Sequence, residues 1–301
     1  MTTKTNIQKH SPTNVVAVDD GRLVAVHEIP GDGDDVIVLF HPAPGAGPFD
    51  PNPKATAESG VTLIEIDRPG YGDSEPMVGG HWTTVAAAAD DAAAVLDKRG
   101  YRSVGVAGWS AGGRIALALA ARRPDLVRRV AVVATPAPHE QVPWMPDEIA
   151  AAVDALRGLS PQDVHAAMTE QLSGFAAAIA EHPEAGLEML GVSQADGAAL
   201  EMPGARQRLA ALLNAAFRQG TTGLVSDIAG YTLRPWDFKP TDVAAETLLL
   251  YGSADPIAGP RHGQWWQQNV PNAHLEVVPD AGHLLIMPMW SRVLSYRALA
   301  R

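Results

Sequence analysis

Cysteine is absent from all 301 residues, which excludes a disulfide, a thiolate nucleophile and a cysteine-ligated zinc site. Positive charge is scarce: 23 Lys and Arg against 34 Asp and Glu leave a net charge of −11. A surface of that sign repels phosphate backbones and anionic headgroups, so neither nucleic acid nor a membrane is an expected partner. No stretch approaches the ~18 consecutive apolar residues of a membrane span, and the polar segment Met1 to Val16 lacks the apolar core of a secretory signal. A cytoplasmic location is therefore the default expectation. Phosphate-loop signatures are missing too. Gly105, Gly108, Gly112 and Gly113 do not fall in the G-x-G-x-x-G register, and no Gly-Lys-Ser/Thr occurs. Without histidine and carboxylate pairs at ligand spacing within one element, no metal is expected. The Asp90-Asp91 pair reads as a solvated helix face.

What is present alternates strand with helix. Val15 to Val18 and Leu23 to Val26 flank D-D-G-R as a hairpin, and the apolar run Val36 to Phe40 enters the loop His41 to Gly47. Val61 to Ile66, a helical pattern over Thr83 to Lys98, and Val127 to Ala134 continue the alternation. This predicts an α/β fold: a doubly wound, mostly parallel sheet with helices on both faces. From Pro136 the pattern changes to helix, with no convincing strand before Thr247 to Tyr251. The division expected is a core over 1–138, a helical cap insertion over 139–240, and the rest of the core over 241–301. A helix around Gly263 to Asn269 and a strand Leu275 to Val278 close the chain.

The chemistry centres on Val104 to Arg123. An apolar run, Val104 to Ala107, leads into an alanine-rich helical pattern from Ala111, which leaves Ser110 at a strand-to-helix turn. Gly108 and Gly112 stand two residues to either side, where strand and helix backbones approach too closely for a β-carbon. The helix start aims free N–H groups and a positive dipole end at the serine. A serine hydroxyl needs a base, and the base needs a third group to hold and balance it. Asp255 and His283, like Ser110, directly follow predicted strands, and in a parallel sheet such positions share one edge. Asp280 and Asp242 are the rival acids; Asp255 is preferred for its place after a strand.

These motifs together resemble the α/β-hydrolase superfamily, in its serine-nucleophile, capped, esterase-like form. His41-Pro42-Ala43-Pro44-Gly45 resembles the family's H-G-x-P-G loop, D-R-P-G-Y-G-D-S (Asp67 to Ser74) its next loop, and G-W-S-A-G-G its nucleophile elbow. G-S-A-D-P and A-G-H resemble its acid and histidine loops. The resemblance implies Ser110 as nucleophile, His283 as general base and Asp255 as acid, with the Ala111 and Ala43 amides as oxyanion hole. Pro42 replaces the usual second glycine and removes one donor. The resemblance also implies that His41 braces its turn. Candidates for the substrate pocket are His41, Trp109, Trp144 and Trp236. The implied activity is hydrolysis of a small or medium apolar carboxylic ester through an acyl-enzyme, without a cofactor, on a small-molecule substrate. C–C bond hydrolysis, a cofactor-free perhydrolase or haloperoxidase activity and N-terminal proline peptidase activity are alternatives on this fold, and a non-catalytic ligand-binding protein is one of another class. The serine argues against dehalogenase and epoxide-hydrolase chemistry, which use aspartate. No oligomeric state follows from the pattern.

Overall fold

The computed structural model describes residues 14–77 and 81–298; most of the polar segment read for a leader lies outside them. Among the described residues eight strands form one sheet, in the order β1 (Asn14–Ala17), β2 (Leu23–Ile29), β4 (Thr62–Ile66), β3 (Val36–Phe40), β5 (Val104–Trp109), β6 (Val127–Val133), β7 (Glu246–Gly252), β8 (Ala273–Val278). The hairpin of β1 and β2 is antiparallel, as is β2 against β4. The remainder, β3, β5, β6, β7 and β8, pairs in parallel. This is the doubly wound sheet that the alternating pattern predicts. The strand order reverses between β3 and β5, which pair at Phe40 and Gly108. The loops leaving these two strands therefore open on the crevice where such sheets bind ligands.

All six residues of β5 are buried, as a strand covered by helices on both faces must be. Helix α1 (Pro53–Ser59) was not evident from periodicity because it is only two turns long. Its ends are nonetheless marked: Asn52 accepts from the Ala55 amide, Pro53 sits in the first turn, and Gly60 closes it with φ 67°. Helices α2 (Val85–Lys98) and α3 (Ala111–Arg122) pack together through alanines. Asp91 on α2 departs from the solvated face expected for it: it is buried and accepts both terminal nitrogens of Arg22, at 2.9 and 2.8 Å. Asp90 does face outward, bonded to Arg122.

Between β6 and β7 the described residues are helical: α4 (Asp147–Ala155), α5 (Pro161–Glu181), the short α6 (Gly197–Leu200), α7 (Ala205–Ala216) and α8 (Thr222–Thr232). Ala215, Ala216 and Leu224 from this segment pack on Ala46 and Tyr71, so it covers the loops that leave β3 and β4. The chain then passes through β7, α9 (Pro260–Asn269) and β8 to α10 (Trp290–Ala298), whose Trp290 indole donates to Thr56 of α1 at 2.8 Å.

One buried acid leaves a measurable signature. Glu65 on β4 accepts the Phe49 amide at 2.6 Å on one oxygen, and its other oxygen has no partner among the described residues. Burial raises its pKa well above the usual value of 4.5, with the charges of Asp67 and Asp50 adding to the shift. Over the window above 4.5 the unfolded chain binds fewer protons than the native one, so this group makes stability fall as pH rises. Its limiting contribution is about 1.4 kcal/mol per pH unit. Urea titrations at stepped pH should show that slope in the native sequence, and Glu65→Gln should remove it.

Candidate active site

Ser110 occupies the bend between β5 and α3 with φ 53° and ψ −121°, a backbone region that a residue with a β-carbon enters at a cost. Its amide donates to the Val133 carbonyl at 2.9 Å. A β-carbon at Gly108 would strike the Gly112 backbone, and one at Gly112 would strike the Phe40 carbonyl. The two glycines thus permit the close approach that the sequence spacing demands.

The structure brings Ser110, His283 and Asp255 together. Ser110 Oγ lies 3.0 Å from His283 Nε2, and His283 Nδ1 lies 2.8 Å from Asp255 Oδ2. The carboxylate can only accept, so Nδ1 carries the proton and Nε2 is free to accept the serine O–H. The other Asp255 oxygen accepts the Ile257 and Ala258 amides at 2.8 and 2.9 Å. Burial alone would raise the Asp255 pKa. The His283 hydrogen bond and charge, with those two amides, outweigh burial and lower it. The rival acids lie elsewhere: Asp280 is exposed with its amide on Ser253, and Asp242 is exposed at the end of the short turn Pro240–Asp242.

The loop after β3 is held from behind. Arg68 donates to the His41 and Pro42 carbonyls at 2.7 and 2.9 Å, and His41 Nδ1 also donates to the Pro42 carbonyl at 2.8 Å. In a trans peptide the C=O and N–H point in opposite directions. Fixing the Pro42 carbonyl this way turns the Ala43 N–H to the other side of that peptide. Ala43 and Ala111 line the same small cavity as Ser110 and His283, about 110 Å³ in volume. Among the described residues neither amide donates to another group.

The pocket candidates divide. Trp144 lines the Ser110 cavity, and Trp144 and Trp236 line an adjoining chamber of about 420 Å³. His41 and Trp109 do not face either space, because both are packed under the catalytic loops. His41 accepts the Arg68 amide on Nε2 at 3.3 Å, and burial, then the Arg68 charge, holds it well below the ordinary imidazole pKa. It is a neutral brace. Trp109 is fully buried, and its indole donates to the His283 carbonyl at 2.9 Å.

Several residues around the site escaped the sequence reading. Asp227 of α8 is buried and bonded to Arg68 Nε and Nη2, down to 2.6 Å, and to Tyr71 at 3.3 Å. Asp196 accepts the Leu284 amide at 2.7 Å and caps its own turn at Ser193, which fastens the helical segment to the chain beside His283. Arg114 was legible in principle, as the one charge in the apolar run Ile115 to Ala121 and its preceding glycines, one turn after Ser110.

The fold and this site define a hydrolase of the α/β class. Residues 35–288 match the alpha/beta hydrolase fold family model, and the chain belongs to that family. It is 30% identical over 244 residues to the pimeloyl-[acyl-carrier protein] methyl ester esterase of Neisseria meningitidis, covering 78% of this chain and 80% of that one. It is 26% identical over 269 residues to the 2-hydroxymuconate semialdehyde hydrolase of Pseudomonas putida, covering 88% and 84%. In architecture it resembles a thermophilic esterase from Thermogutta terrifontis, with TM-score 0.67 and 22% identity over 96% of this chain and 97% of that one. No helix among the described residues is long and apolar enough to cross a membrane.

Proposed function

We propose that the protein is a serine esterase working through an acyl-enzyme, with residues 139–240 as the cap over its site. The observation that carries this reading is the hydrogen-bonded chain Ser110–His283–Asp255 beside a cavity that Ala43 and Ala111 also line. His283 Nε2 takes the Ser110 proton as Oγ bonds to the ester carbon, and the Ala111 and Ala43 amides stabilise the oxyanion. As the intermediate collapses, the C–O bond to the alcohol breaks and the imidazolium protonates the departing alkoxide. Water then repeats the sequence: His283 takes its proton, hydroxide adds to the acyl carbon, and Ser110 leaves as the free hydroxyl. Asp255 remains ionised and balances the imidazolium charge throughout. Esterase names among the curated relatives support the same reading.

The small cavity is walled by Pro136, Met189, Leu190 and Ile257, which suits a short apolar reacting end on a small-molecule ester. With p-nitrophenyl acetate, stopped-flow should record a burst of about one p-nitrophenolate per enzyme followed by a slower steady rate. Purely linear release, with no acetylated enzyme in a quenched sample, would argue against an accumulating acyl-enzyme. C–C bond hydrolysis is the second reading, favoured by the similarity to the Pseudomonas putida hydrolase; turnover of a vinylogous β-diketone acid in place of esters would select it.

A further inference from the structure

The Ser110 cavity and the larger chamber share three lining residues: Arg114, Trp144 and Tyr231. Arg114 stands one turn along α3 from Ser110, and side chains on a helix lean toward its N-terminal end, here toward the serine. The residue is only 2% exposed, no hydrogen bond or ion pair holds it among the described residues, and its Nε is buried without a partner there. That is a costly arrangement for a guanidinium, which stays charged even when buried. The Asp227 carboxylate acts on it through space but has its oxygens bonded to Arg68 and Tyr71.

What surrounds the guanidinium is aromatic. The faces of Tyr231, Trp236 and Trp144 lie 4.6, 5.2 and 5.7 Å from its central carbon. Aromatic faces hold a cation but accept none of its in-plane N–H bonds. Among the described residues two buried donors near these spaces are left without acceptors, Arg114 Nε and the Trp144 indole N–H. No buried side-chain acceptor on the same walls is orphaned among the described residues. The other cation of the chamber, Arg157, is bonded to Asp154 and the Thr232 carbonyl. Among the described residues the wall offers one positive charge outside any ion pair and a second free donor, which fits a planar monoanion better than a phosphate dianion.

We infer that Arg114 receives a carboxylate carried by the substrate, so that the preferred esters are half-esters of dicarboxylic acids. This rests on the serine-esterase reading and narrows it: the reacting end stays small and apolar, and the far end is anionic. Desolvation makes the site selective, because a neutral chain laid in the same place leaves the guanidinium unpaired.

The test compares half-esters from monomethyl succinate to monomethyl suberate with methyl alkanoates of matched length, such as monomethyl adipate with methyl hexanoate. For the native enzyme, kcat/KM should favour the best half-ester by about 100-fold. In Arg114→Met that ratio should collapse toward one, chiefly through KM, and Arg114→Lys should restore part of it. A native ratio at or below one, or a ratio unchanged in a folded Arg114→Met, would overturn the proposal. Adipate binding supplies a readout that does not depend on turnover or on any variant folding. It should change the tryptophan fluorescence of the native protein and raise its melting temperature; no response at millimolar adipate would also overturn the proposal. If no ester of either series is turned over while adipate still binds at Arg114, the esterase reading fails and the carboxylate site stands.

Discussion

Ser110→Ala should lower ester kcat/KM by about 10⁶-fold, the scale seen in kcat when the nucleophile of such a triad is removed, and Ser110→Gly should do the same. The two variants should separate in stability. Both lose the hydrogen bond to His283 Nε2, but alanine keeps a β-carbon at φ 53° whereas glycine does not. The strain at such a residue is on the order of 1–3 kcal/mol and the entropy of glycine in the unfolded chain offsets about 0.4–1 kcal/mol of it, so the glycine variant should be the more stable by up to about 2 kcal/mol. At an ordinary position the order is reversed, because glycine adds entropy to the unfolded chain. Urea unfolding of the two proteins side by side reads the sign. A glycine variant less stable than the alanine variant would mean that the bend at Ser110 stores no strain.

The second large effect is expected at Asp227, which makes no contact with the reacting atoms. Asp227→Ala leaves the Arg68 guanidinium buried and uncompensated, a loss on the order of 3–5 kcal/mol. Arg68 also holds the His41 and Pro42 carbonyls, so the same change loosens the peptide that orients the Ala43 amide. Activity measured well below the unfolding midpoint should therefore fall, by up to the roughly 100- to 1000-fold associated with losing one oxyanion donor. Asp227→Asn, which keeps an acceptor in place, should lose less of both. Equilibrium unfolding together with kcat/KM distinguishes this coupled effect from a purely structural one, in which stability falls and kcat/KM does not.

The parts of the molecule legible in the sequence are those encoded locally. Largely apolar runs of four or five residues followed at once by glycine or histidine mark β3, β5 and β7. The glycines around Ser110 mark the bend: Gly108 lets β5 meet α3, and Gly112 lets α3 pass the end of β3. Asp255 and His283 stand out because each follows a strand directly. What escaped is pairing across the chain. Arg68 and Asp227 are 159 positions apart, Asp196 and Leu284 are 88 apart, and neither end of either pair lies in a pattern that points to the other. Asp91 looked solvated beside Asp90 because α2 alone does not reveal that Arg22 arrives on its face. Facing is the other limit. An aromatic residue beside a site can line the pocket or lie beneath it, and only the packed structure separates Trp144, in the cavity wall, from Trp109, under His283.

The most direct test of the account is covalent labelling of the native protein with a fluorophosphonate, read by intact and peptide mass spectrometry. One adduct per chain is expected, on the peptide containing Ser110, absent in Ser110→Ala and much slower to form in His283→Ala. An adduct on a different serine, or no adduct on the folded protein, would contradict it.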